Sequence, residues 1–378
     1  MSDKKKLIGL MSGTSVDCID AVLVAFESKK FEILHTHSIK ISDSLREKIN
    51  SLTISGGDEI NRLCILDREL GLLFSQVANE LLDSSELYTK KDILAIGSHG
   101  QTIRHKPPEN IAGGHQGYSL QIGDPNMIAE LTGITTIANF RKRDMVLGGQ
   151  GAPLAPGFHL EFFEKSESPR AIINIGGIAN ITLLPGDSSI SSVLGYDTGP
   201  GNVLMDKWTK INLGKNYDEN GSWAAQGNII ETLLSNLMST PYLNITPPKS
   251  TGPELFNIGW LRSFLNKSPN YKSADVQATL LEFTAQTISQ GLSNYSHNAN
   301  DVFVCGGGAY NTALISRLEE LIAPTPLKDT KALGVAPEWV EAAAFAWLAK
   351  QTVEGLNGNI PAVTGAQKPA VLGAIYAK

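Results

Sequence analysis

The sequence predicts an α/β protein of two related domains, and three observations carry that expectation. Two segments share one layout: an apolar run, a turn of glycine and small polar residues, and a second apolar run. The first has apolar runs at 7–11 and 21–26 around Ser12-Gly13-Thr14-Ser15-Val16-Asp17-Cys18-Ile19-Asp20. The second has them at 171–175 and 178–184 around Gly176-Gly177. A further strand pattern follows each unit, at 31–39 and at 192–196. The third observation is length, since 378 residues exceed one ordinary core and suit two domains.

Composition narrows the class. A hydrophobic fraction of 42% and a charged fraction of 19% describe a globular chain, neither disordered nor coiled. The net charge of -6, with no basic stripe, argues against nucleic acid as the main partner. The run Lys4-Lys5-Lys6 reads as a solvated tail. Behind it, the apolar run 7–11 is too short for a signal peptide, and no apolar stretch is long enough to span a bilayer. The three cysteines (Cys18, Cys64, Cys305) have no metal spacing and cannot all pair, which fits a reducing compartment. A cytoplasmic protein is expected.

The elements follow in order. Helical spacing covers 44–54 and 59–82, and 93–97 reads as a buried strand ending in Ser98-His99-Gly100-Gln101-Thr102. The Pro- and Gly-rich residues 107–117 are a loop. A strand at 119–123 leads to Asp124 as N-cap and Pro125 as first helical residue. A strand at 135–140 closes the first domain, and the glycine-rich stretch 147–157 crosses to the second, with 148–151 as a plausible hinge. In the second domain, Val276, Leu280, Thr284, Ile288 and Leu292 recur at helical spacing within 274–295. A strand at 301–305 runs into Gly306-Gly307-Gly308 and a helix over 309–322, and Pro337 opens another helix. The tail 370–378 packs back on the first domain. The domains are then 1–145 with 352–378, and 146–351.

Two common nucleotide signatures are absent: neither Gly-x4-Gly-Lys-Ser/Thr nor Gly-x-Gly-x-x-Gly after a strand occurs. What remains is the hairpin device, whose glycines let a backbone approach a bulky anion and turn N–H groups toward it. Asp17 and Asp20 would repel bare phosphate, a conflict that a divalent cation such as Mg²⁺ resolves. A polar turn with nothing bound is the alternative. Gly306-Gly307-Gly308 is likewise either a tight strand–helix turn or a floor for a flat ligand such as a purine.

The residues 13–20, Asn174-Ile175-Gly176-Gly177-Ile178-Ala179-Asn180-Ile181-Thr182 and Tyr196-Asp197-Thr198-Gly199-Pro200-Gly201-Asn202 resemble the anhydro-N-acetylmuramic acid kinase family. So do Ser98–Thr102, Phe140-Arg141-Lys142-Arg143-Asp144 and Gly148-Gly149-Gln150-Gly151-Ala152-Pro153, so that the resemblance spans nearly the whole chain. The wider superfamily, that of actin, Hsp70 chaperones and sugar kinases, implies a duplicated fold with mixed sheets around an ATP cleft. One departure stands out: the family loop reads Gly-Thr-Ser-x-Asp-Gly, and here Cys18 replaces the second Gly. A side chain there restricts positive φ and puts the local backbone in question.

The resemblance implies transfer of the ATP γ-phosphoryl group to oxygen 6 of 1,6-anhydro-N-acetylmuramic acid while water opens the anhydro bond. Oxygen 6 carries no proton in that sugar, so a base must activate the water. Asp197, before Gly-Pro-Gly, is the candidate base, with a helix cap or turn residue as its alternative. Nucleotide and Mg²⁺ contacts are expected from Gly13, Thr14, Ser15, Val16, Asp17, Cys18, Ile19 and Asp20, from Gly176 and Gly177, and from Gly306, Gly307 and Gly308. Asp17 is the candidate metal ligand, directly or through water. His99, Gln101, Asp124, Arg141, Arg143 and Glu341 are candidates for the sugar. Either Arg141 or Arg143 suits the lactyl carboxylate by its fork, and continued strand geometry would put both on one side. Asp124 and Glu341 could instead only serve helix starts. A homodimer is implied by the resemblance alone. An ATP-driven chaperone or filament protein, or a kinase for another sugar or small carboxylic acid, are the competing readings.

Overall fold

The computed structural model describes residues 4–108, 117–165, 167–187, 189–265, 270–295 and 299–378, so most of the loop expected at 107–117 lies outside the described residues. The chain divides into two compact units, Met1–Phe163 with Trp339–Lys378, and Glu164–Glu338.

In the first unit, β1 (Lys5–Ser12), β2 (Cys18–Glu27) and β3 (Lys30–Lys40) form an antiparallel meander. β4 (Ile93–Lys106) joins parallel to β1, β5 (Tyr118–Ile122) pairs antiparallel with the far end of β4, and β6 (Thr136–Ala138) lies parallel to β4. The second unit repeats the path. β7 (Arg170–Ile175), β8 (Ile178–Leu184) and β9 (Leu194–Pro200) are an antiparallel meander. β10 (Asp301–Cys305) adds parallel to β7, and β11 (Leu327–Asp329) parallel to β10. Finally β12 (Ala374–Tyr376) returns to pair antiparallel with β6. The two sheets thus read β3-β2-β1-β4-β6-β12 and β9-β8-β7-β10-β11. The same five-strand path occurs twice, so the duplication inferred from the two hairpins is present in the topology.

Each sheet buries apolar side chains against helices. On the first, Ile8, Leu10, Ile19 and Leu23 pack against Leu45 and Ile49 of the helix Asp43–Leu52 and Leu66, Leu70 and Phe74 of the helix Glu59–Asp83. On the second, Ile173 and Ile181 share a core with Val276, Leu280 and Ile288 of the helix Ser273–Tyr295 and Leu314 and Leu318 of the helix Thr312–Ile322. The spacing that predicted the helix at 274–295 is therefore a packing pattern.

The opposite face of the first sheet is covered by the helix Val340–Val353, and here backbone meets backbone. A Cβ on Gly9 would overlap the carbonyl oxygen of Ala342, and one on Gly97 that of Phe345. Glycine in adjacent strands β1 and β4, at paired positions, lets the alanine-rich helix lie directly on the sheet.

Four expectations change. β4 does not end at 97 but runs to Lys106, because Gly100 (φ 74°) lets it bend from β1 toward β5. Residues expected as strand to 140 leave it at Ala138; Asn139 (φ 61°) breaks the strand and a helix spans Phe140–Val146. β9 continues through Asp197 to Pro200, since pairing with β8 reaches Ile178. The stretch 148–151, read as a hinge, is tied down inside the first unit. Gly149 N donates to Asp144 O (2.9 Å), Gln150 N to Thr364 O (2.7 Å) and Gly151 N to Asp144 Oδ2 (2.9 Å). Asp144 is fully buried, and its Oδ1 also accepts from Asn359 (2.8 Å) and Thr364 (2.7 Å).

The Gly97→Ala variant should lose about 3 kcal/mol of unfolding free energy, because the added methyl must push helix backbone away from the sheet. Urea denaturation of the variant beside the parent checks this.

Candidate active site

The turn between β1 and β2 is shaped by hydrogen bonds from β4. Ser12 Oγ lies 2.7 Å from Gln101 Oε1 and 3.2 Å from Cys18 O, while Gln101 Nε2 donates to Gly13 O (3.2 Å). Gln101, a sugar candidate from sequence, thus engages the loop itself. Val16 N closes the turn on Gly13 O (3.2 Å), and Val16 is its left-handed residue (φ 57°), held with its side chain in the core. Cys18 begins β2 in extended backbone, so its replacement of glycine requires no positive φ. Its thiol donates to Asp20 Oδ1 (3.2 Å), and burial, helped by the Asp20 charge, pushes the thiol pKa up to about 12. A thiol so held is no nucleophile at neutral pH. Ile19 is fully buried in the core, and Asp20 accepts from Ser38 Oγ (2.8 Å). The part of the segment that turns is therefore 13–17.

Asp17 pairs with Arg46 (3.2 Å) and leaves about half its side chain exposed, at 46%. Burial raises its carboxyl pKa, and the Ser15 hydrogen bond and the Arg46 charge oppose that rise. Among the described residues no three His, Cys, Asp or Glu side chains gather to hold a metal ion. A single hard carboxylate still fits Mg²⁺, which keeps most of its waters and shares phosphate oxygens.

The glycines sort themselves by what requires them. Gly306 (φ 79°) is left-handed, and a Cβ there would strike Asn174 and Ile175. A Cβ on Gly308 would strike Ile175 as well. Those two satisfy the turn and its packing. Gly307 is exposed, and a Cβ on it would meet nothing within 4 Å. Gly13 and Gly176 behave alike: the nearest atom to an added Cβ is 3.9 Å and 3.5 Å away, an ordinary contact. None of these three has a positive φ. Neither backbone conformation nor protein packing explains why they lack side chains. The second turn is also anchored to the helix Val203–Leu213, whose leading residues donate to it: Asn202 N to Gly176 O (2.8 Å) and Val203 N to Gly177 O (3.0 Å).

Asp197 sits beside a β-bulge, where the β8–β9 register shifts between Ala179 and Asn180, a feature that re-aims side chains. It is 6% exposed. It caps no helix, for Asn202 holds the N-cap position of the helix Val203–Leu213. The segment 240–251 holds it instead. Thr251 N donates to Asp197 Oδ2 (2.9 Å), Asp197 N donates to Lys249 O (3.4 Å), and Tyr242 Oη donates to Asp197 O (2.8 Å). Its strand neighbours Tyr196 and Thr198 line a cavity of about 160 Å³ with Lys249, Thr287 and Asn294. Sequence reading missed this segment; its only signal was the run Lys249-Ser250-Thr251-Gly252 after two prolines.

Of the sugar candidates, His99 and Arg141 meet. His99 Nδ1 lies 2.8 Å from Gly100 O, and a carbonyl only accepts, so Nδ1 carries the hydrogen. Nε2 then accepts from Arg141 Nε (3.2 Å) and Nη2 (2.9 Å). Burial and the Arg141 charge hold the imidazole well below its usual pKa, so it stays neutral. Arg141 Nη1 donates to Gly151 O (2.8 Å), which fixes the guanidinium from two sides. Arg143 does not join it. On a helix, residues two apart diverge by about 200°, and Arg143 is exposed. Asp124 caps the helix Pro125–Thr132, accepting from Asn126 N (2.9 Å). Glu341 stands in the first turn of the helix Val340–Val353, where a carboxylate suits the helix dipole.

No helix among the described residues is long and apolar enough to cross a membrane. A family model described as anhydro-N-acetylmuramic acid kinase matches residues 5–378. Similar curated proteins carrying that name include one from Coxiella burnetii, 48% identical over 99% of this chain and 98% of its own. One from Shewanella sediminis is 49% identical over 98% of both chains. Among solved structures, the chain is similar to an activator of 2-hydroxyisocaproyl-CoA dehydratase from Clostridium difficile with bound ADPNP. That pair is 16% identical with a TM-score of 0.47, covering 92% of this chain and 96% of the other. With relatives nearly half identical from end to end and a family match over residues 5–378, the chain belongs to the anhydro-N-acetylmuramic acid kinase family.

Proposed function

We propose that this kinase uses ATP to phosphorylate oxygen 6 of 1,6-anhydro-N-acetylmuramic acid and opens the anhydro ring with water in the same reaction, in the cytoplasm. The products are N-acetylmuramic acid 6-phosphate and ADP. The observation that carries the nucleotide assignment is the trio Gly13, Gly176 and Gly307, whose missing side chains answer no need inside the protein. Backbone at such positions can touch phosphate or base where a Cβ would stand in the way. Thr14 and Ser15 add hydroxyl donors. Asp17, with Arg46 behind it, would hold Mg²⁺ through retained water. The ion would neutralise charge on the phosphates.

Asp197 is the base. Water attacks carbon 1 as Asp197 takes its proton, the bond from carbon 1 to oxygen 6 breaks, and oxygen 6 attacks the γ-phosphorus. One Asp197 oxygen is fixed by the Thr251 amide, which orients the carboxylate and favours its ionised form. Arg141, fixed by neutral His99 and Gly151, binds the lactyl carboxylate through its fork. Arg143 has no part in this. Gln101 serves the sugar only indirectly, by shaping the phosphate loop.

Three experiments test this reading. Gly176→Ala and Gly307→Ala should leave the unfolding free energy within about 0.5 kcal/mol of the parent yet weaken ATP binding measured by calorimetry; loss of stability without loss of affinity refutes the assignment. Asp197→Asn should keep its ATP affinity and lose about 10³-fold in turnover, and the parent enzyme in ¹⁸O-labelled water should place the label on carbon 1. Arg141→Lys should raise the KM for the sugar roughly tenfold, with the Kd for ATP unchanged, whereas Arg143→Lys should alter neither.

A further inference from the structure

We propose that the cavity beside β9 is a binding site for a small tetrahedral oxyanion of the phosphate class, with the Lys249 ammonium group as its charged anchor. The site stands whether or not Asp197 is the base.

The cavity is lined from β9, from the segment 240–251 and from the helix Ser273–Tyr295, all within the unit Glu164–Glu338. Its volume of about 160 Å³ has room for several waters, and so for an ion of four oxygens. Lys249 lines it and is 7% exposed. Burying an ammonium group is costly unless the protein replaces its water. Such a group has three N–H donors. Nζ gives one to Leu243 O (3.1 Å) and one to Tyr242 O (3.3 Å), and among the described residues no acceptor takes the third. Its distance is 4.8 Å from the Tyr242 ring centroid and 5.6 Å from that of Tyr196. Carbonyls and ring faces stabilise a cation without cancelling its charge. Burial brings the amine pKa down to about 8, a fall that the Asp197 charge opposes, so it remains mostly protonated at pH 7.

The lining is one-sided in charge. Among the described residues that form it, none is Asp or Glu, and Lys249 is the one Lys, Arg or His. The floor hydroxyls are already committed, Thr198 Oγ1 donating to Ala179 O (3.2 Å) and Thr287 Oγ1 to Thr284 O (3.0 Å). The exposed side chains of Asn244, Gln290 and Asn294 add amide groups that make no hydrogen bond to another described residue. Gln290 and Asn294 stand four apart on one face of their helix, while Asn244 and Lys249 belong to the segment 240–251. Donors arriving from two elements suit the diverging oxygens of a tetrahedral ion. A planar carboxylate is matched better by the fork of an arginine, which this lining lacks. Asp197 is not a lining residue, although its strand neighbours Tyr196 and Thr198 are, so the cavity adjoins the proposed catalytic strand without including its carboxylate.

The experiment follows isoleucine methyl resonances by NMR in the full-length protein. Ile245 lines the cavity and is half-exposed, and its signal is identified by its loss in Ile245→Leu. Inorganic phosphate and glucose 6-phosphate are titrated separately at constant ionic strength, without and then with a saturating non-hydrolysable ATP analogue. The Ile245 signal should shift saturably with at least one of them, and the tighter arm names the source, a free phosphate or a phosphate ester. The ATP analogue should leave that affinity unchanged. Lys249→Met should weaken it about tenfold or more. Gln290→Glu, a change of equal size at an exposed helix position, brings a carboxylate to the cavity and should also weaken it about tenfold. That variant preserves the test if Lys249→Met does not fold. An Ile245 signal that neither anion moves, or an affinity unchanged in the variants, means a cavity that holds water alone and overturns the proposal. Displacement of the anion by the ATP analogue or by the anhydro sugar assigns the binding to the catalytic site and overturns it as well.

Discussion

The first unit is organised around backbone-to-backbone contact between a sheet and a helix. Gly9 and Gly97 lie side by side on β1 and β4, and the helix Val340–Val353 rests where their side chains would be. Direct contact at that spot leaves little freedom in how the helix sits, because close-packed interiors transmit small shifts. Three residues along from Gly9, β1 delivers Ser12 to the turn before β2; two residues along from Gly97, β4 delivers His99. The helix itself contributes Phe345, whose ring lies 4.6 Å from His99 and 5.6 Å from Phe140, the first residue of the helix that carries Arg141. A contact made by residues without side chains thus sets the positions of the groups assigned to phosphate and sugar.

Much of this was legible in the sequence because it depends on periodicity and on local turn chemistry. Both hairpins, the helix Ser273–Tyr295 and the N-cap at Asp124 carry signals contained within a few residues of themselves. What escaped depends on partners far along the chain. Nothing near Gly306-Gly307-Gly308 reveals that Ile175 and Asn174 require the outer two and leave only the middle one unexplained. Arg141 and Arg143 alternate as in a strand, yet Asn139 turns left-handed and starts a helix, which separates them. The glycines at 148–151 suggest flexibility until Asp144 and Thr364 are seen to bind their backbone.

Three aspartates show how position decides what one side chain does. Asp144 is wholly enclosed and accepts from the Gly151 amide, Asn359 and Thr364, which makes it a structural knot. Asp17 is half open beside Arg46, in contact with both solvent and its ion-pair partner. Asp197 lies between these extremes, nearly covered yet held through its main chain and one carboxylate oxygen.

Because residues Trp339–Lys378 belong to the same unit as Met1–Phe163, that unit is assembled from two segments that flank the other unit. On the ribosome, β6 would lack its neighbour β12, and the floor formed by Gly9 and Gly97 would stay uncovered, until residues 339–378 have emerged. The segment Glu164–Glu338 contains every strand of its own sheet and is under no such delay. Maturation should therefore run in the reverse of gene order, with the later-encoded unit complete first. Premature termination would strand the N-terminal half with an open sheet edge, a substrate for chaperones and proteases.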